Sequence, residues 1–406
     1  MAAVEQSLSF KIKTILLNND DGSSIDVSKN VKNIMIKKDY INNVFPLFVI
    51  NMTLTELERD MIRDNNTDIS LSIYSGNDMV KASDDDDSHL SNSVLNTVIR
   101  IYDKQFTTDS ASSDENEDDT DESTGTENAP NIFYSVSGVP KDIIDSNKGH
   151  INSIYDNCKV ATAALNIVSD MSIQKNIYFD SADLSSESYK YILIPPQTPI
   201  SALSYLDDNY KLYNYGALNV FYDTNNIYLY NMNNPNRVFN KMVLYKELDN
   251  QSTNNAKRRI EFDDDNQRLI CYTDSTPTFI DTSKISNYDV GTTRTFYSYD
   301  DVFDIVSRNG GKQDDDFSMN RYFWNPGRKQ LFEDSFGSLT STDSLIPLVL
   351  GNVDMDFFAP DTIVMIESKY DKISGSYIVG SVSSMLSNVG EDVFNSTVSL
   401  GLIKTK

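Results

Sequence analysis

The chain has 406 residues, enough for two or three domains of ordinary size with a sizeable core. Its 60 acidic residues against 35 Lys and Arg give a formal net charge of −25, a balance that argues against tight binding of a nucleic-acid backbone, which needs clustered cations to displace counterions. Two distant cysteines, Cys158 and Cys271, suggest neither a disulfide scaffold nor a thiolate zinc site, and two histidines, His89 and His150, argue against a multi-His metal centre or a His-based triad within one chain.

The N-terminal stretch Met1 to Leu17 carries Lys11 and Lys13 inside an apolar alternation, so it reads as a strand and not as a signal peptide. No segment approaches the roughly 18 consecutive apolar residues of a membrane span, so a soluble chain made in a cytoplasm, with no stable membrane insertion, is expected. Leu8, Phe10, Ile12, Thr14 and Leu16 alternate with polar residues, and Asp20-Asp21-Gly22 follows as turn chemistry. Asn33 to Tyr40 and Phe45 to Ile50 form the next apolar runs. Thr53 to Asp64 is predicted as a helix, with Thr53 and Glu56 at capping-box spacing and Leu54, Leu57 and Met61 on one face. The period of two returns at Ile69, Leu71, Ile73 and at Val98, Arg100, Tyr102, giving half-buried antiparallel strands covered by one helix.

Much of the charge is local. Asp84 to Asp87 contribute four negatives and the stretch Asp109 to Asn128 nine, which leaves −12 for the rest. The four aspartates lack the alternation and distal Glu of a calcium loop and read as a solvated acidic turn. Residues 109–128 combine low hydrophobicity with dense like charge and cannot bury enough surface to offset chain ordering. They are expected to be a flexible insertion in a hairpin between Val98 to Phe106 and Asn131 to Val136, with a negative field for a channel as the sharper reading.

Beyond Pro140 the pattern changes. Ile151, Ile154, Tyr155, Cys158, Leu165 and Val168 follow helical spacing, with Ala161, Ala163 and Ala164 allowing close packing and Cys158 as a small buried apolar residue. On such a helix His150 and Cys158 would lie about 12 Å apart along the axis, too far to grip one ion. Thr198-Pro199 starts a second helix with N-cap and N1 chemistry, carrying Ile200, Leu203 and Leu206. Seven tyrosines fall within 26 residues, Tyr205, Tyr210, Tyr213, Tyr215, Tyr222, Tyr228 and Tyr230. Such side chains suit fold packing, a protein interface or a glycan platform; Trp324, beside Arg321, Tyr322 and Phe323, divides the same way.

Arg258 to Phe262 and Arg268 to Tyr272 flank Asp263-Asp264-Asp265-Asn266 as a hairpin, and the basic run Lys257-Arg258-Arg259 has acidic neighbours to pair with. Gly310-Gly311-Lys312 fails as a phosphate loop, because Val306 stands for the first glycine and Gln313 for Ser or Thr. Carboxylate pairs are too numerous for spacing to find or dismiss a glycosidase-like pair. The chain closes on Thr362-Ile363-Val364-Met365-Ile366, a turn at Ser374-Gly375, Tyr377 to Val382, and Thr397-Val398-Ser399-Leu400-Gly401-Leu402.

This last unit, from Phe358-Ala359-Pro360-Asp361 to Leu402, resembles the C-terminal signature of baseplate hub proteins of contractile-tailed bacteriophages: a strand, a Tyr-Gly-type hairpin and a final T-x-S-L strand. Two further segments are similar to that family in the order it requires. They are Asn33 to Tyr40 leading into Phe45-Pro46-Leu47-Phe48-Val49-Ile50, and Ile192-Leu193-Ile194-Pro195-Pro196-Gln197-Thr198-Pro199-Ile200 ahead of Val220-Phe221-Tyr222-Asp223. Together they cover about a third of the chain, and none is a catalytic motif.

The resemblance implies an α+β, mostly β fold: two tube-like antiparallel β-barrel domains with an α+β middle domain. The expected boundaries are 1–140 for the first barrel with its 109–128 insertion, 141–250 for the middle domain, and 251–406 for the second barrel and C-terminal strands. It also implies a homotrimeric structural protein of the virion tail baseplate, synthesised in the host cytoplasm. Such a hub joins the sixfold tail tube or tube-initiator protein to a separate threefold central spike protein. It contacts other baseplate proteins and frames a channel for the tape-measure protein and DNA during genome ejection. No catalytic, cofactor-binding or metal residue is expected. The alternatives are a sixfold tube initiator, a tail-associated cell-wall-degrading enzyme, and a glycan-binding adhesin using the tyrosine cluster.

Overall fold

The computed structural model describes residues 9–41, 43–64, 66–75, 93–107, 132–171, 175–214, 216–231, 239–247, 259–263, 268–273, 345–351, 357–367, 374–390 and 393–404. Alternating apolar residues build the first seven strands: β1 (Ser9–Asn18), β2 (Ser24–Asp26), β3 (Val31–Asp39), β4 (Leu47–Leu54), β5 (Thr67–Ser75), β6 (Ser93–Thr107) and β7 (Ile132–Pro140). Gly22, at φ +76, occupies the predicted turn between β1 and β2. The 109–128 insertion falls between β6 and β7, which pair from Ile99↔Pro140 to Thr107↔Phe133. The insertion, Asp84 to Asp87 and His89 lie outside the described residues.

Helix α1 (Glu56–Asp64) starts later than the spacing predicts. Its capping box is Thr55 with Glu58: the Thr55 amide donates to Glu58 Oε2 at 2.8 Å and the Glu58 amide to Thr55 Oγ1 at 3.4 Å. Thr53 and Leu54 still belong to β4, where Leu54 is buried. The buried face of the helix is therefore Met61 and Ile62, and Leu57 is left 75% exposed.

The next elements are α2 (Lys141–Ser146), β8 (Ile151–Lys159), α3 (Val160–Asp170), β9 (Asn176–Phe179), β10 (Ser188–Gln197), α4 (Pro199–Tyr210), β11 (Asn219–Tyr222) and β12 (Asn226–Tyr230). The helix expected from Ile151 onward begins only at Val160. Residues before it form β8, antiparallel to β10 with Ile154 opposite Leu193. Over a short run the two periods overlap, and a ready β-forming partner in Tyr189 to Ile194 decides the outcome. Cys158 is in consequence half-buried on a strand, not enclosed in a helix core. Helix α4 follows expectation, with Thr198 as N-cap accepting from the Ser201 amide and Pro199 in the first turn. Ala202, Leu203 and Leu206 join Ala163, Ala164 and Ile167 of α3 in one buried cluster.

The C-terminal part supplies β13 (Lys241–Glu247), β14 (Arg259–Asp263), β15 (Arg268–Thr273), β16 (Leu345–Gly351), β17 (Thr362–Glu367), β18 (Gly375–Gly390) and β19 (Val393–Lys404). The predicted β14–β15 hairpin is present, and β13 runs parallel to both β15 and β17. The final hairpin is longer than its motif: β18 continues to Gly390 and β19 begins at Val393, four residues ahead of Thr397. Gly310 to Lys312 and Trp324 lie outside the described residues, as do Lys257 and Arg258.

Pairing around the sheet closes on itself. The order β1-β5-β6-β7-β4-β3-β18-β19 returns to β1, every pair antiparallel, so strands from both halves of the chain complete an eight-stranded ring. Eight strands leave an interior that side chains can fill. Phe10, Ile36, Phe48, Ile50, Leu71, Tyr134, Leu386 and Phe394 are among those buried there. Gly138 is required by close packing: a Cβ at this point would stand 2.3 Å from Ile99 Cγ2 and 2.7 Å from the Arg100 carbonyl.

Candidate functional site at the shared hairpin and the seam

In a protein whose expected work is assembly, the relevant geometry is how its units are joined. The β18–β19 hairpin serves two parts of one hydrogen-bonded sheet, the ring and the strands β13 to β17. Ser381 to Ser387 of β18 pair with β3, and Val393 to Asn395 of β19 pair with β1, closing the ring. The base of the same hairpin pairs elsewhere, with Gly375 to Ile378 on β17 and Thr397 to Ile403 on β16. Register shifts between Val379 and Ser381 and between Asn388 and Gly390 interrupt an otherwise continuous β18–β19 ladder, the first of them at the point where β18 passes from β17 to β3. One continuous hydrogen-bonded ladder thus couples the ring to the strands β13 to β17, and a single buried core includes residues of both.

The seam between ring and middle unit has an apolar half and an ionic half. In the apolar half, Phe221, Tyr228 and Tyr230 of β11 and β12 join the ring's core, and Tyr40 meets Phe221 edge-on at 4.7 Å between centroids. Tyr230 donates to the Tyr40 carbonyl at 2.6 Å, and the Tyr40 hydroxyl donates to the Phe358 carbonyl at 2.9 Å, tying all three units at one residue.

In the ionic half, Lys38 of β3 pairs with Asp223 at 2.8 Å, the side chains 2% and 7% exposed. Lys175 donates to the Asp223 carbonyl at 2.6 Å and pairs with Asp142 of α2 at 2.8 Å. Lys141 of α2 pairs with Asp68 of β5 at 2.6 Å, and Arg100 of β6 reaches the other Asp68 oxygen at 2.5 Å. Burial opposes a charge on Asp68, but hydrogen bonds from Arg100, Lys141 and Asn19 outweigh it and hold the carboxyl below its ordinary value.

The tyrosine cluster divides clearly. Tyr213, Tyr222, Tyr228 and Tyr230 are buried, Tyr205 and Tyr210 are half-buried, and Tyr215 lies outside the described residues. Tyr213 donates to the Asp180 and Leu229 carbonyls inside the middle unit, so packing is its role there. Burial without a compensating partner raises the Tyr222 phenol well above its usual range, and its oxygen has no hydrogen-bond partner among the described residues. Among the described residues no three His, Cys, Asp or Glu side chains stand together as metal ligands, and no helix is long and apolar enough to cross a membrane.

Sequence reasoning missed the seam's charged residues. A signal existed for one: Lys38 continues the inward register of Ile34 and Ile36, and a lysine at a core-facing strand position needs a buried partner. Nothing local to Asp68 or Lys175 marks them, because their partners come from remote strands and loops.

A family model described as Bacteriophage PBS1 gene 109 protein matches residues 2–402. Among solved structures, the chain is similar to a tail protein from Neisseria meningitidis MC58, at 12% identity over 96% of each chain with a TM-score of 0.44. It is also similar to the 43 kDa tail protein of prophage MuSo2 from Shewanella oneidensis, at 12% identity over 97% of this chain and 99% of that one, TM-score 0.47. A third is the E. coli c3393 protein, a component of the type VI secretion system, at 8% identity over 93% and 74%, TM-score 0.41. No curated protein matches the sequence.

Proposed function

This chain belongs to the family of the Bacteriophage PBS1 gene 109 protein, and on that premise we propose that it is a structural protein of the phage tail, a baseplate hub between sixfold tail tube and threefold central spike. The observation that carries the reading is the shared β18–β19 hairpin. It joins the eight-stranded ring to the strands β13 to β17 in one hydrogen-bonded sheet, and in this reading those strands are the second of two β units that each chain presents. Three such chains offer six positions to a sixfold tube while keeping threefold symmetry for the spike. The net charge of −25 suits a channel wall that lets phosphate pass without trapping it. In this reading the protein has no catalytic role, and its partners are other copies of itself, the spike, the tube or tube initiator, neighbouring baseplate proteins and the tape-measure protein.

Self-association needs an apolar surface, and the middle unit carries one. On the outer face of the β8–β10 ribbon, Ile154 is 69% exposed, Tyr191 52% and Leu193 51%, with Ile154 and Leu193 directly opposed across the ribbon. The test is absolute mass by light scattering, with and without a candidate spike. Three copies of 45.8 kDa give about 137 kDa, and Leu193→Asp should reduce that species to monomer without changing the circular dichroism spectrum. A sixfold mass favours the tube-initiator assignment, and a monomer in the presence of spike overturns the hub reading.

A further inference from the structure

Helix α2 lies where the ring passes into the middle unit, and its first two residues reach opposite ways. Lys141 pairs with Asp68 on the ring, while Asp142 pairs with Lys175 of the middle unit. Both Asp68 oxygens are engaged: Arg100 of β6 donates at 2.5 and 3.3 Å, Lys141 of α2 at 2.6 Å, and Asn19 of the β1–β2 turn at 2.9 Å. Asp68 itself is fully buried. From Asp142 the series continues to Lys175, which also donates to the Asp223 backbone carbonyl, and the Asp223 carboxylate pairs with Lys38, back on the ring. Three ion pairs, Lys141–Asp68, Lys175–Asp142 and Lys38–Asp223, therefore connect ring to middle unit to ring, the first two joined through the adjacent residues 141 and 142 of α2 and the last two through the Asp223 backbone carbonyl. Apolar packing adds little at this point, since Ile143 is the only buried residue among the six of α2. The opposite half of the seam rests on Phe221, Tyr228 and Tyr230 in the shared core.

This division points to α2 as an ionic clasp: we propose that it is an acid-released latch, whose opening frees residues 141–151 from the ring while the aromatic half of the seam stays closed. Protonating Asp68 leaves Arg100 and Lys141 facing a neutral acid and each other, with water the better partner for both cations. The sign follows from the lowered Asp68 value. Its contribution is complete above the unfolded carboxylate value near pH 4 and is lost as pH falls through the lower folded one. The released segment is a hinge of about ten residues, which would let the middle unit tilt against the ring about its aromatic contact.

Amide hydrogen exchange on the full chain tests this, with rates corrected for their intrinsic pH dependence. In Asp68→Asn at pH 7, amides of 143–148 should exchange roughly tenfold faster, while those of β11 and β12 stay as protected as in the parent. The parent should show the same local change developing as pH falls from about 4 downward, before the ring amides open, and Asp68→Asn should have lost that pH response. Asp142→Asn, on a half-exposed carboxylate outside the ring, should also free α2, and it decides the question if Asp68→Asn fails to fold. Unchanged α2 protection in Asp142→Asn, or exchange rising together across ring and α2 in acid, overturns the proposal.

Discussion

The ring and the middle unit reach stability by opposite routes. The middle unit is assembled from near neighbours: α3, α4, β8 and β10 all come from one stretch of chain, and its buried cluster runs from Ile143 to Leu229. The ring closes only when Phe394 of β19 comes beside Phe10 of β1, across almost the whole sequence. Loop closure over such a distance costs only slightly more entropy than over a shorter one, but it delays the reward, because the remaining ring contacts form without their last partners. The local unit can therefore form early and act as a platform, and the ring depends on the shared hairpin arriving late.

The sharpest way to break this comparison is to remove β19. A chain ending at Gly390 should lose near-ultraviolet circular dichroism from the ring tyrosines while retaining helical far-ultraviolet signal from α3 and α4. Cooperative loss of both signals would mean that the middle unit does not hold itself together. Next in size is the seam. Lys38→Met leaves Asp223 buried without its cation and should cost about 3–5 kcal/mol in chemical denaturation, whereas Lys38→Met with Asp223→Leu should recover most of that loss. If the double variant is no better than the single, the pair is not the coupling element it resembles.

A smaller effect separates the acid response of the two regions. Stability of the parent should fall as pH drops below about 4, with the Asp68 share of that slope absent in Asp68→Asn, measured by urea unfolding at a series of pH values. The smallest prediction concerns packing inside the middle unit. Tyr222→Phe removes a buried hydroxyl with no partner among the described residues, and should raise stability by about 1 kcal/mol. A loss of similar size would reveal a partner that the hydroxyl depends on.

How much of this was legible beforehand varied with the range of the interactions. The alternation at Phe10, Ile12, Thr14 and Leu16 announced β1, the Asp-Asp-Gly turn was placed correctly, and Thr198-Pro199 located the start of α4, since each depends on neighbours a few residues away. The capping box was misplaced by two residues because Thr53 and Thr55 offer the same chemistry and only the extent of β4 chooses between them. Ile151 to Lys159 read as helix because nothing within that window reveals β10 as its partner. The mostly β character was thus written in residue patterns of period two and in short turn signals, and the family only in the resemblance of three short segments. Ring closure by β18 and β19, the three-way tie at Tyr40 and the ion pairs of α2 were decided only in three dimensions. Each is a contact between segments far apart in the chain, and its energy comes from burial and dielectric surroundings that no single segment possesses.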